Sequence, residues 1–414
     1  MRFLSATAGT NGTIKTTPED FIVNEITPNG RVLELSRQYT PVELGEQERA
    51  DSKFTRFILQ KRPWDTTGAL VAIAKKLGHG KKSFGYAGTK DKMSTSTQLA
   101  SIFGIEPAQL LNIHIKDISI NGAWKGEEVI LGSNIGNAFD IKIREANRSE
   151  NAVKIIDELE GVFPNYFDRQ RFGYRLNNFR IGRLILENRL EDAVMMFLTD
   201  SSNEVNKESN EARKRLSEEQ DFRSALAYFP KHLKYERTVI EYMSRYNNYA
   251  NALRKLPRGI LLLFIHAVES GIFNTCLEQR IKSDDTGSSA VYLKKNKFGF
   301  PDSDTVAADG SEGFAAAPLI GYETHPKYLS EYEDSIMESV GIRCEDFKIK
   351  SMPELSMKGA FRVLLAPARN LLCDVNSNEL RLKFEIPSGS YATVLANEIT
   401  KTESIAMEAI IRES

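Results

Sequence analysis

The residues whose types and spacing best suit them to chemistry lie in one run, Phe84-Gly85-Tyr86-Ala87-Gly88-Thr89-Lys90-Asp91-Lys92-Met93-Ser94-Thr95-Ser96-Thr97-Gln98. A strand-like stretch breaks at Gly88, a single carboxylate, Asp91, follows between two lysines, and Ser/Thr residues lead back into the apolar Leu99-Ala100-Ser101-Ile102-Phe103. Gly and small polar residues of this kind form a tight loop. Backbone N–H groups and nearby ammonium groups keep a carboxylate in such a loop anionic, and an anion held in a rigid loop can act as a nucleophile. Turn chemistry alone leaves a plainer reading open, in which Asp91 is a turn residue and Lys90 and Lys92 are solvated.

A second segment interleaves aromatic and cationic side chains: Tyr166, Phe167 and Phe172 among Arg169, Arg171 and Arg175. Aromatic faces stack on bases, at roughly 1–3 kcal/mol per base, while Arg meets phosphates. Tyr166 or Phe172, or both, are expected in the core instead. A third segment, Gly78-His79-Gly80-Lys81-Lys82-Ser83, superficially suggests a phosphate loop. It fails the Gly-x-x-x-x-Gly-Lys-Ser/Thr spacing because Lys82 stands where the hydroxyl belongs. Lys81 and Lys82 remain candidates for contacts to RNA phosphates, as do Arg169 and Arg171.

The elements that must position these residues read as α+β. Phe21 to Ile26, Val32 to Leu35, Phe54 to Leu59, Ile113 to Ile120, Ala138 to Ile143 and Leu380 to Ile386 have strand character. Asp65 caps a helix through Leu77, Ser149 caps one reaching about Glu160, Pro257 opens one through Ile281, and Pro326 starts one that stops at Gly341. From about Asn177 the texture becomes helical and charged.

The chain has 414 residues, comfortable for two domains, with 41% apolar and 27% charged residues. The longest apolar run, Ile260 to Ile265, is interrupted by His266 and Glu269 and falls short of the roughly 20 residues of a membrane span. The first residues are not followed by the apolar core of a secretory leader. Cys276, Cys344 and Cys373 show neither zinc spacing nor a disulfide framework, which fits the cytoplasm. Net charge is −1, yet charge is segregated: +5 from Lys75 to Lys92, +4 from Asn165 to Arg189, and −9 from Asp302 to Asp346. The two basic blocks flank the candidate residues, as a groove for a polyanion requires.

The wording of these segments resembles the TruD family of tRNA pseudouridine synthases. The Gly-x-Lys-Asp signature followed by Thr-x-Gln is matched by Gly88, Lys90, Asp91, Thr97 and Gln98, with Ser94 where the family usually has Ala. Pro18-Glu19-Asp20-Phe21, Val23 and Glu25, preceded by Lys15, match the first family pattern. Gly136-Asn137-Ala138-Phe139 looks like its Gly-Asn-x-Phe turn. Asn165-Tyr166-Phe167, Gln170, Arg171, Phe172 and Gly173 match another, with Asp168 in place of the usual Gly, which suggests a carboxylate tied to Arg169 or Arg171. Pro387, Gly389, Ser390, Tyr391, Ala392, Thr393 and Glu398 match the C-terminal one.

The resemblance implies a pseudouridine synthase core, a mostly antiparallel sheet with flanking helices, made from residues 1–189 and 366–414. Residues 190–365 would form an inserted α+β TRUD domain, its acidic middle facing away from RNA. It implies Asp91 as catalytic residue, Lys15 as its ion-pair partner in a dry pocket, and Phe167 stacking on the target uracil with Asn165 hydrogen-bonding near it. Glu25, Lys90, Gln98 and Gln170 would support them. The partner is tRNA, by resemblance at uridine-13 in the D-arm region, with no cofactor, metal or membrane, and a monomer is expected. The carboxylate attacks C1′ or C6, or abstracts a ribose proton to give a glycal; these routes stay open. Phe167 has no hydroxyl and cannot take the C5 proton, so that base is unassigned. The alternative is a non-catalytic tRNA-binding or RNA-folding protein that keeps the scaffold.

Overall fold

The computed structural model describes residues 1–80, 83–307, 313–402 and 411. Its first part carries strands β1 (Phe21–Ile26), β2 (Phe54–Lys61), β3 (Phe84–Tyr86), β4 (Thr95–Phe103), β5 (Ile118–Gly126) and β6 (Gly136–Ile143), with helices α1 (Thr66–Leu77) and α2 (Pro107–Leu111) between them. Helix α3 (Asn151–Leu159) and β7 (Val162–Pro164) lead into a run of helices. These are α4 (Asn178–Leu186), α5 (Leu190–Thr199), α6 (Lys207–Glu219), α7 (Phe222–Tyr228), α8 (Lys234–Met243), α9 (Tyr249–Leu253) and α10 (Arg258–Lys282). Then follow β8 (Val291–Lys295), β9 (Pro301–Val306), β10 (Gly313–Leu319), α11 (Glu331–Val340), β11 (Ala360–Val363), β12 (Leu365–Pro367), β13 (Arg369–Asn376), β14 (Glu379–Pro387) and α12 (Ala392–Thr400).

The largest sheet runs β13-β14-β6-β1-β4-β2-β5, with β3 also on β4. Its pairs are antiparallel except β1 with β4. Both chain ends build it, since β14 lies along β6 from Leu380↔Ile143 to Pro387↔Gly136. Strand β14 alternates in the period-2 pattern, burying Leu380, Leu382, Phe384 and Ile386. Those side chains pack with Ile141 and Ile143 of β6, Ile155 and Leu159 of α3, and Leu395 and Ile399 of α12. Helix α1 covers another part of the sheet, with Leu70 and Ile73 against Phe57, Leu59, Ala100 and Ile102. A second sheet, β11-β10-β8-β9, is smaller, and β12 pairs with β7.

Several local signals act as read. Asp65 caps α1 by accepting the Gly68 N–H, and Gly341 ends α11 in the left-handed conformation. Others differ. Gly136-Asn137-Ala138-Phe139 is the start of β6 rather than a turn, because each residue pairs with β1 and β14. Residues 113–117 precede β5 instead of belonging to it. Helix α3 begins one residue later than Ser149 would cap, and the Ser149 hydroxyl donates to the Ser377 carbonyl. Pro326 opens only a short 3-10 turn; α11 starts at Glu331 under a capping box of Ser330 and Glu333.

Helix α10 also corrects the reading of the apolar run. Over an 18-residue window its mean hydropathy is 1.7, long and apolar enough by length and composition to cross a membrane, but 78% of that window is buried in the protein. The reason is its place in the fold. Leu261, Phe264, Ile265, Val268 and Ile272 lie in the core of the helical region, and Phe273 and Leu277 lie in the core beneath the sheets. A helix between two cores is apolar around most of its circumference.

Helix α4 crosses α10 at Gly182, where a Cβ would stand 2.1 Å from the Phe264 carbonyl oxygen and 2.8 Å from Val268 Cγ2. Gly182→Ala is therefore expected to push the helices apart and cost about 1–3 kcal/mol, read from the urea midpoint at constant slope. An unchanged midpoint would mean that the crossing has room to spare.

Candidate active site

Asp91 sits in the loop 87–94 between β3 and β4. Its carboxylate accepts a hydrogen bond from Lys15 Nζ at 2.7 Å, across a sequence separation of 76 residues. The Asp91 side chain is 48% exposed and that of Lys15 18%. The expected dry pocket is thus a partly open one in the free protein. Lys15 comes from the segment before β1 and has φ +58°, a left-handed conformation that non-glycine residues seldom adopt. Such strain is stored where surrounding contacts over-determine a residue. Here the ammonium also lies 4.3 Å from the centroid of the Phe21 ring.

The loop that carries Asp91 has no regular structure, so its carbonyls and N–H groups need side-chain partners. Lys61, at the end of β2 and 1% exposed, donates to the carbonyls of Trp64 (2.6 Å), Lys90 (3.3 Å) and Asp91 itself (3.1 Å). Ser94 Oγ donates to the same Asp91 carbonyl at 2.7 Å, a bond the usual Ala could not make. Gln98 Nε2 donates to the Gly88 carbonyl, and Gln98 Oε1 accepts from Thr66 Oγ1, which in turn accepts the Lys90 N–H. Lys90 is buried, not solvated: its ammonium meets Glu25 at 2.8 Å, and the other Glu25 oxygen accepts the Leu99 N–H. Lys92 is exposed.

The second segment folds against the C-terminal strands. Asn165 is buried; its Nδ2 donates to the Val363 carbonyl and its Oδ1 accepts from Arg362 (2.7 Å) and Ser390 Oγ (2.9 Å). Arg362 also donates to the carbonyls of Asn165 and Gly389, tying this segment to the turn after β14. Its guanidinium carbon lies 4.0 Å from the Phe167 ring centroid, and burial pulls its pKa down to about 10. Phe167 packs edge-on against Phe273 and Tyr391, and its backbone exchanges two hydrogen bonds with the Asn274 side chain.

The aromatic–arginine pattern is resolved more narrowly than its spacing suggests. Tyr166, Phe172 and Phe167 are all buried, at 2%, 0% and 6% exposure. Arg175 is a core residue, not a phosphate contact: it donates to the Phe197 and Asp200 carbonyls, and burial lowers its pKa to about 10. Asp168 accepts its neighbour's backbone N–H and the Thr393 hydroxyl at 2.5 Å, so it is tied to the Arg169 main chain rather than to a guanidinium. Arg171 is half-buried, 5.2 Å from the Phe167 ring, with its Nε buried and unpaired. Arg169 and Gln170 are exposed. Glu398 accepts from the Ser5 N–H and hydroxyl, anchoring the N-terminus to α12, and burial raises its pKa. Lys81 and Lys82 lie outside the described residues.

A cleft of about 1120 Å³ runs from Ile14 and Lys15 past Asp168, Arg169 and Gln170 and along α12 from Thr393 to Thr400. Lys15 joins it to Asp91. Among the described residues no group of three or more His, Cys, Asp or Glu is placed to hold a metal ion. Lys61, Thr66 and Arg362 carry no functional signal in residue type or spacing, whereas Ser390 belongs to the C-terminal family pattern.

Burial pulls the Lys61 ammonium down to about 8 from its ordinary 10.5. Between those values the unfolded chain holds a proton that the folded chain has released, so this group makes stability rise with pH from about 8 to 10.5. Below 8 the cost of the buried charge is fully present. Deprotonation leaves two N–H donors for three carbonyls. The contribution of Lys61 to wild-type stability is thus expected to rise, and turnover to fall, as pH rises through 8. Lys61→Met should turn over more slowly throughout and lack the Lys61-dependent rise, checked by urea unfolding and kcat at matched pH.

A model of the family described as tRNA pseudouridine synthase D (TruD) matches residues 1–399. The Pyrococcus abyssi protein named "Probable tRNA pseudouridine synthase D" is 32% identical, the match covering 97% of this chain and 99% of that one. The protein of the same name from Methanococcoides burtonii is 31% identical over 98% and 96%. The crystal structure of the Methanosarcina mazei protein named "Putative tRNA pseudouridine synthase D (TruD)" superposes with a TM-score of 0.75 at 28% identity, covering 97% and 96% of the two chains. With its signature residues assembled as above, the chain belongs to the TruD family of tRNA pseudouridine synthases, which are isomerases.

Proposed function

We propose that this enzyme converts uridine-13, in the D-arm region of tRNA, to pseudouridine, with Asp91 as the reacting carboxylate. The observation that carries this reading is the 2.7 Å pair of Asp91 and Lys15, accessible beside a cleft and braced from behind by buried side chains. The reaction breaks the N1–C1′ bond and forms C5–C1′; C5 loses a proton and N1 gains one. Asp91 supplies the anion for attack at C1′ or C6, or for removal of a ribose proton. Lys15 holds the carboxylate in one orientation and balances its charge.

The uridine must leave its stack, at a cost of a few kcal/mol, and Phe167 replaces part of that stacking. Arg362 already covers part of the Phe167 ring. Arg171 is held by a 3.3 Å bond to the Tyr391 hydroxyl and would swing aside toward a phosphate. Asn165, whose Oδ1 is occupied by Arg362 and Ser390, has an Nδ2 proton to offer the base beyond the one given to Val363.

Unmodified tRNA carrying 5-tritiated uridine should release tritium with the wild-type protein. Asp91→Asn should abolish release, and Lys15→Met should lower kcat on the order of 10²-fold with tRNA affinity little changed. Equal release by Asp91→Asn would remove Asp91 from the mechanism.

A further inference from the structure

The cleft beside Lys15 is larger than one nucleoside needs: at about 1120 Å³ it exceeds the roughly 300–1,000 Å³ of an ordinary small-ligand site. Two of its lining side chains are apolar and strongly exposed, Tyr174 at 71% and Val205 at 77%. A single exposed aromatic means little by itself. Here it shares a wall with an uncommitted cation. Arg169 lines the same cleft, is exposed, and has no acidic partner among the described residues. The acids nearby are engaged: Asp168 with the Arg169 N–H and Thr393, Glu204 with Arg213 at 3.2 Å.

Tyr174 is also held in place. It follows Gly173, at φ +81°, and precedes Arg175, whose guanidinium is fastened to the Phe197 and Asp200 carbonyls. The Arg175 carbonyl accepts from Asn203 Nδ2 at 3.3 Å, and the Leu176 N–H donates to Gly173. The turn is fixed on both sides of Tyr174 while its side chain faces solvent. An aromatic presented on a rigid turn loses little entropy when a partner stacks on it.

We propose that Tyr174, Arg169 and Val205 form a subsite for the nucleotide next to the extruded uridine, its base on the Tyr174 ring and against Val205, its phosphate on the Arg169 guanidinium. Aromatic faces interleaved with cations bind single-stranded nucleotides in this way, with little preference for base identity because every base has a π-face. The inference rests on the reading that this cleft receives tRNA beside Asp91. It assigns part of the substrate-binding wall to the 190–365 segment, which supplies Val205.

The test uses the full-length protein and unmodified tRNA transcripts. Tyr174→Ala should raise KM about tenfold with kcat within about twofold, while Tyr174→Phe stays near wild type. Arg169→Gln should reduce the salt slope of tRNA binding by about one. Both side chains are exposed, so neither change removes core packing. With transcripts abasic on either side of the target, Tyr174→Ala should add nothing to the loss already present. An unchanged KM for Tyr174→Ala, or a loss undiminished on the abasic transcripts, overturns the subsite while leaving turnover by Asp91 standing. Absence of tritium release by the wild type would instead overturn the functional reading, and the subsite with it.

Discussion

A loop of eight residues without regular structure has to hold a carboxylate still, and two buried ammonium groups make that possible. Lys90 is neutralised by Glu25 at 2.8 Å. Lys61 has only carbonyl oxygens, one of them that of Asp91. Burying a charge without a counter-ion is costly, and the depressed pKa of Lys61 is the sign of that cost. A neutral side chain of similar size would avoid it but leave three carbonyls without a donor. The positive φ of Lys15 is a second local cost at the same place. Both fall on the groups that fix Asp91, and the rest of the sheet is regular enough to carry them.

What could be read in the sequence follows from how far each interaction reaches along the chain. The Asp65 cap, the Gly341 stop and the alternation of β14 are local, decided within a few residues, and residue types reveal them. The Asp91–Lys15 pair spans 76 residues; composition and spacing favour a plain turn residue at Asp91, and only the family resemblance reverses that reading. Lys61 left no signal. It closes an apolar strand, where a lysine ordinarily marks the strand's solvated end, and its partners are main-chain carbonyls, which no residue type betrays. Arg362 is hidden for the same reason, lying 197 residues from Asn165.

Charge counted along the chain also overstates what a ligand meets. Of the six arginines from Asn165 to Arg189, Arg175 is spent on carbonyls, Arg180 on Asp200, Arg183 on Glu187, and Arg189 on Glu187 and Asp192. Two are left, Arg169 and Arg171, and those are the two nearest Phe167 in sequence. The fold thus reduces a broad basic block to a pair of guanidinium groups next to the cleft. Most of the block holds α4 and its neighbours together, and the net charge of +4 read from the sequence is mainly a structural charge.

The openness of the Asp91–Lys15 pair has a consequence for how its energy is used. Exposed ion pairs contribute only about 0–1 kcal/mol in water, so at 48% exposure of the carboxylate the pair stabilises the free protein little and needs no large desolvation to form. The same 2.7 Å separation under a covering of RNA lies in a medium of lower dielectric, where each electrostatic contact is stronger. On the proposed reading, water leaves the carboxylate only when the substrate arrives, and the substrate's own binding energy supplies the desolvation. The free protein therefore keeps its anion wet and inexpensive to maintain, and the buried lysine behind it keeps the geometry fixed through both states.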